Sequence, residues 1–213
     1  MNMNRRGFMS KVGSFFKRPG DVFFYAVQVV VNVYGEDDLR QALHRVVLTG
    51  GEMESPAQKR AFYKQIAALL TTNQPFFEYG HWDYMTEADE AEATFEQWVT
   101  ELEAGLATEA EEVTDVLDDV DRMSTDKSYV VVTMLFVLER VDANATAIEM
   151  IERHVDDEFL ERAPMVELIE AIRYIDFEYS LADAAFIMPG NDQDGISWED
   201  IRGEGWEYLK PVM

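Results

Sequence analysis

A histidine between two carboxylates is the arrangement in this chain that most resembles reactive chemistry. Glu78, His81 and Asp83 fall in one aromatic-rich stretch, Asn73-Gln74-Pro75-Phe76-Phe77-Glu78-Tyr79-Gly80-His81-Trp82-Asp83-Tyr84. An imidazole oriented by a carboxylate can take a proton from water or a hydroxyl, so the set would suit a hydrolase or a metal-dependent enzyme. Glu78 and His81 form one Glu-x-x-His. A carboxylate di-metal bundle needs two such motifs and two further carboxylates, and no second copy occurs. The competing reading is an aromatic plug folded back on the core, with His81 as hydrogen-bonded structure. His154 and Glu158 lie four apart and could share a metal ion, but they are only two ligands. Asp192 and Asp194 are candidate calcium ligands in Asn191-Asp192-Gln193-Asp194-Gly195-Ile196-Ser197-Trp198-Glu199-Asp200. The register argues against them: with Asp194-Gly195 at the fifth and sixth loop places, Gly190 stands where the first ligand belongs and Ile201 where the bidentate Glu belongs. A polar turn into a helix capped by Ser197, with Asp200 completing a capping box, accounts for the same residues. No cofactor is implied, and the absence of cysteine removes thiolate catalysis and disulfides.

The net charge of -24 argues against a nucleic-acid partner, because the summed field repels a polyanion. The charge is uneven. Between Glu87 and Asp126 there are 15 acidic residues against one base, Arg122, whereas the first 20 residues carry Arg5, Arg6, Lys11, Lys17 and Arg18 and no acid. A solvated surface, in a salty habitat given 6 Lys against 42 Asp and Glu, is one explanation of the acidic body; a cation-binding or basic-partner surface is the other. At the basic head, Asn4-Arg5-Arg6-Gly7-Phe8-Met9-Ser10-Lys11 resembles a twin-arginine export signal, but Lys17-Arg18-Pro19-Gly20-Asp21 cuts its apolar region short. The other use is an amphipathic helix with Phe8, Met9, Val12, Phe15 and Phe16 on one side. In that reading Arg5, Arg6, Phe8, Lys11, Phe15, Phe16, Lys17 and Arg18 contact an anionic membrane surface. A disordered or domain-docked arm is the alternative.

These groups must be positioned by a core, and Asp126–Glu139 organises it. Nearly every residue from 129 to 138 is apolar or β-branched, too short a run for a membrane helix and without a one-sided pattern. That predicts a strand covered on both faces. Val22 onward predicts another, with Val27, Val29, Val31 and Val33 on an apolar face and Ala26, Gln28, Val30, Asn32 and Tyr34 on a mixed one. Helices are predicted near 36–48, from Ser55-Pro56-Ala57-Gln58 with its capping box, from Thr86 to Gly105, over 109–123, over 143–161, and beyond Ala163-Pro164. Tyr174–Leu181 alternates and Ala184–Met188 is apolar, giving one bent strand or two short ones.

The ordered features resemble a known family. Tyr129-Val130-Val131-Val132-Thr133, a strand ending in Pro189 followed by an acidic turn and Ser197, and Tyr208-Leu209-Lys210-Pro211-Val212 are similar to the domain of unknown function 1517 family, as is Asn73-Gln74-Pro75 with Trp82. The resemblance covers roughly Val27 to Met213. Relatives occur in cyanobacteria and plastids, several associated with thylakoids, and typically carry a hydrophobic anchor ahead of the domain. This chain has Ile187-Met188-Pro189 where relatives tend to have Trp-Thr-Pro, and it is far more acidic. The family has no established catalytic residues, so the resemblance implies a fold and a non-enzymatic role only.

The expectation is therefore an α/β (α+β) domain over residues 22–213, with a small mixed or antiparallel sheet of three to four strands covered by about six helices, preceded by a basic arm over 1–21. The expected function is a non-enzymatic accessory or protein-interaction domain, cytoplasmic, with peripheral attachment to the inner membrane face as an option. The alternatives are a hydrolase or metal-dependent enzyme using His81, and a calcium-responsive domain.

Overall fold

The computed structural model describes residues 7–11, 21–33, 37–50, 53, 55–112, 128–155, 160–190, 195–203 and 205–213. The fold is α+β, built on an open antiparallel sheet. Its strands are Gly7–Lys11 (β1), Val22–Asn32 (β2), Phe77–Met85 (β3), Tyr129–Glu139 (β4), Ser180–Met188 (β5) and Lys210–Pro211 (β6), in the order β1-β5-β4-β2-β3-β6. Every described pairing is antiparallel. The described helices are Asp37–Thr49 (α1), Pro56–Thr72 (α2), Ala88–Glu112 (α3), Ala145–Glu152 (α4), Arg162–Ala171 (α5) and the short Trp198–Ile201 (α6).

β4 lies inside the sheet, between β5 and β2, and all its residues from Tyr129 to Leu138 are buried. Side chains alternate across a strand, so both faces need apolar residues when both are covered. Val130, Val132, Met134, Phe136 and Leu138 join a core beneath α1, α2, α4 and α5. Val131, Leu135 and Val137 join a second core beneath α3 and α6. β2 divides likewise, Phe23, Tyr25, Val27, Val29 and Val31 against Phe24, Ala26 and Val30. The fold is thus three layers with the sheet in the middle.

Local signals set several boundaries as expected. Ser55 caps α2 with Pro56 at its first turn: the Gln58 backbone N–H donates to Ser55 Oγ at 3.3 Å and the Ser55 N–H donates to Gln58 Oε1 at 3.0 Å. Ser197 and Asp200 form the same box at α6.

Other expectations are corrected. Three to four strands is too few: five strands have five or more residues, and two-residue β6 joins at one edge. The amphipathic helix expected at the head does not hold over Gly7–Lys11, which pairs with β5 as strand; Arg5, Arg6, Phe15, Phe16, Lys17 and Arg18 lie outside the described residues. The aromatic connection is strand β3 from Phe77, because Phe, Tyr and Trp suit a pleated surface that packs on both sides. Gly105 does not end α3, which runs on to Glu112. A Cβ there would stand 3.0 Å from Met188 Cε, the flexible end of a side chain, so the glycine does not interrupt the helix. The acidic helix expected over 109–123 is therefore continuous with α3 as far as Glu112, and its remainder lies outside the described residues. α5 begins at Arg162 with Pro164 inside its first turn, where no N–H is required. The alternation at 174–179 belongs to short turns, and a single strand starts at Ser180.

Candidate functional site

β3 carries His81 at a sheet margin, opposite Gln28 of β2, which in turn lies opposite Thr133 of β4. These three polar side chains form a row on the α3 face. Gln28 and Thr133 are buried, and the row is internally bonded: Gln28 Nε2 donates to Thr133 Oγ1 at 2.8 Å, while Tyr208 Oη donates to Gln28 Oε1 at 2.9 Å. Burial leaves a glutamine amide costly unless both ends are satisfied, and here both are. Tyr208 thereby fixes the C-terminal segment over the row. Burial pushes its phenol up to about 12, with the Gln28 bond opposing and Glu101 adding to the rise.

His81 completes this cluster as a ring. It stacks on Trp98 of α3 at 5.6 Å between centroids and 17°, and meets Tyr208 edge-on at 5.1 Å. Trp98 and Tyr208 themselves meet at 6.0 Å, and Trp206 lies 6.4 Å from Tyr208. Desolvation and then the nearby Lys210 ammonium lower the His81 pKa to about 4, so the imidazole is neutral at physiological pH.

The carboxylates named with it serve other partners. Glu78 accepts from Asn32 Nδ2 at 2.7 Å and Tyr129 Oη at 3.1 Å. It is the extra residue of a β-bulge, since Val30 faces Tyr79 and Val31 faces Phe77. Asp83 accepts from the Tyr84 backbone N–H at 2.9 Å, and burial raises its pKa against that bond. His81 makes no hydrogen bond to a carboxylate among the described residues. Thr133 is two strands away from His81, roughly 10 Å, so the row contains no nucleophile–base contact. The structure therefore brings His81 together with aromatic rings and an amide, and does not bring it together with Glu78 or Asp83 as a proton relay.

A second polar cluster lies on the opposite face, between α2 and β5. Asp183 is completely buried; its Oδ2 accepts from Lys59 Nζ at 2.5 Å and Ser180 Oγ at 3.1 Å, and its Oδ1 from Tyr63 Oη at 3.1 Å. Burial raises the Asp183 pKa, and Lys59, Ser180 and Tyr63 pull it back. Burial and Asp183 raise that of the Tyr63 phenol well above its ordinary value. Every carboxylate oxygen is engaged, so the cluster is a closed polar lock. Sequence reasoning missed it, although a signal existed. Lys59 stands on the apolar stripe of α2 with Phe62, Tyr63 and Ile66, and Asp183 interrupts an apolar run; charges at such positions are buried in pairs.

The remaining candidates are resolved as follows. His154 pairs with Glu167 of α5, Nε2 to Oε2 at 3.0 Å, and Arg153 bonds the same carboxylate. Glu158 lies outside the described residues, as do Asp192 and Asp194. Among the described residues no group of three His, Asp or Glu side chains could hold a metal ion, and no helix is long and apolar enough to cross a membrane. No family model, curated protein or solved structure matches the chain.

Proposed function

We propose that the chain is a non-enzymatic interaction domain whose partner is a protein presenting a basic surface. The observation that carries this reading is the aromatic cluster of Trp98, Trp206 and Tyr208 beside the acidic outer side of α3. Tyr208 is 40% exposed, and Glu96, Glu101 and Glu103 face solvent along the same helix that supplies Trp98. Aromatic faces take up arginine and lysine by cation–π contact, and surrounding carboxylates attract the same side chains. The reactive-looking groups, by contrast, are engaged in internal contacts. The likeness to the domain of unknown function 1517 family points the same way, and membership in it is part of the proposal. Attachment to an anionic membrane through residues 5–18 is a separate element of it, resting on the basic head.

The test is affinity capture from the source organism, comparing the wild-type chain with Glu96→Lys/Glu101→Lys. A basic protein retained by the wild type and lost from the charge-reversed variant supports the reading. Capture indifferent to charge reversal and to added salt overturns it. So does a hydrolase activity of the purified chain that disappears in His81→Ala. The membrane element is tested with Arg5→Glu/Arg6→Glu/Lys17→Glu/Arg18→Glu, which leaves the β1 segment in place, by sedimenting with anionic vesicles, where unchanged partitioning removes it.

A further inference from the structure

At the edge of the sheet, a groove of about 730 Å³ runs between the β3–β6 margin and the start of α5. Its walls include Phe76, Tyr79 and Pro211, and it also meets Glu78 and Arg162. Phe76 is 40% exposed, so its ring is open to a molecule in the groove.

Arg162 is the unusual member. Acidic residues outnumber basic ones 42 to 18 in this chain, and Arg60, Arg140, Arg153 and Arg173 each pair with a carboxylate. Arg162 has no ion pair among the described residues. Its side chain makes one long hydrogen bond, Nη2 to the Phe77 carbonyl oxygen at 3.4 Å, and its Nε is buried without a hydrogen-bond partner. The obvious neutralising group is already in use: Glu78 lines the same groove but is held by Asn32 and Tyr129. The backbone beneath the guanidinium is fixed, because the Arg162 N–H donates to the Met213 carbonyl at 2.8 Å and the Met213 N–H donates to the Leu160 carbonyl at 3.1 Å.

A half-buried guanidinium with unused donors is costly, and a carboxylate meets its fork with two parallel hydrogen bonds. A groove of this size suits a small molecule. The aromatic and proline walls suit an apolar, planar body. A dianion is disfavoured, because Glu78 stands in the groove and the molecule as a whole is strongly negative. We propose that this groove binds a small monocarboxylate with a planar apolar body, its carboxylate on Arg162 and its body against Phe76 and Pro211. Arg162 and Phe76 do not belong to the α3 aromatic cluster, and Glu96 and Glu101 do not line the groove, so the variants that test the two proposals are distinct and either can fail without the other.

Isothermal titration calorimetry of the full chain with 3-phenylpropionate, 3-phenylpropanol and inorganic phosphate tests it. The acid is expected to bind saturably at one site, and both the alcohol and phosphate more weakly by about tenfold or more. Arg162→Gln should weaken the acid by about tenfold or more, and Phe76→Ala by roughly threefold or more. Phe76 is exposed, so its variant remains informative if Arg162→Gln fails to fold. No saturable binding of the acid overturns the proposal, as does equal binding of the alcohol. Preference for phosphate also overturns it, and so does an affinity unchanged in Phe76→Ala. A peptide ending in a free carboxylate that binds where 3-phenylpropionate does not would reassign the groove to protein recognition and equally overturn the small-molecule proposal.

Discussion

Asp183 and Lys59 show what single residues contribute here. An ion pair removed from water gains little over an apolar pair of the same shape, yet leaving one charge alone is severe. Lys59→Met is therefore expected to destabilise by about 3–5 kcal/mol in urea unfolding, whereas Lys59→Met/Asp183→Leu should recover most of that loss. If the double variant is as unstable as the single one, the charge is not what costs. His81 gives a pH dependence of defined sign. Its folded pKa is about 4, below the ordinary value of 6.5. Above pH 6.5 both folded and unfolded chains hold a neutral ring; between 6.5 and about 4 the unfolded chain takes up a proton that the folded ring refuses. The stability belonging to neutral His81 is thus complete above that window and falls as pH drops through it. Because the ring is only partly buried, the loss is on the order of 2 kcal/mol. His81→Phe, which keeps the stacking, should show a shallower fall in Tm from pH 7 to 4 than the wild type; parallel curves would contradict the assignment. The identity of His81 as a notable residue was legible in the sequence, but its neighbours were not. Trp98 and Tyr208 reach it only through the docking of α3 and the return of the chain at β6, contacts far apart in sequence.

At the scale of elements, periodicity carried most of the information. The uniform burial of β4 and the mixed face of β2 follow from alternation, because Gln28 is the residue that finds Thr133 and Tyr208. β3 was hidden because its aromatic residues mask the pattern, and because Gly80 sits in its middle. That glycine has a packing reason: a Cβ would lie 2.9 Å from Leu160 Cδ2, 3.0 Å from Met165 Cε and 3.3 Å from the Gln28 carbonyl. Gly105 differs, since its one near neighbour is the flexible end of Met188. Gly80→Ala should then cost about 1–3 kcal/mol by crowding, while Gly105→Ala should gain roughly 0.5–1 kcal/mol from helix propensity. Thermal unfolding of the two variants checks this, and a fall in Tm for both would show that Met188 cannot move aside. Strand β1 was misread for a related reason: Gly7–Lys11 has no alternation of its own and takes its conformation from the edge of β5.

At the scale of the whole molecule, the charge of -24 acts as self-repulsion that the fold must overcome. Among the described residues most acids are exposed, where salt screens them. Adding sodium chloride is expected to raise stability by ~1 kcal/mol, a Tm increase of about 2–4 °C for a chain of this size. A Tm insensitive to salt would mean that the acidic groups are already compensated locally. Charge and apolar content were legible from composition, and so was the antiparallel option for the sheet. The layer assignment was not, because it depends on which face each helix selects.

The two margins of the sheet have a further consequence for handling the protein. β5 is screened on its outer side by β1, and β3 by β6, so the guards come from segments far apart in the chain. On the β3 side the guard is minimal. Pro211 faces Tyr79, Lys210 faces Gly80, and the Val212 N–H closes on the Glu78 carbonyl at 2.9 Å. Further along the strand, the Asp83 carboxylate accepts from the Tyr84 N–H at 2.9 Å. Trimming residues 210–213 would leave the nine-residue strand β3, regular beyond its bulge at Glu78, as an open edge able to accept a second chain. Shortened versions of this protein should therefore be watched for self-association before they are judged for function.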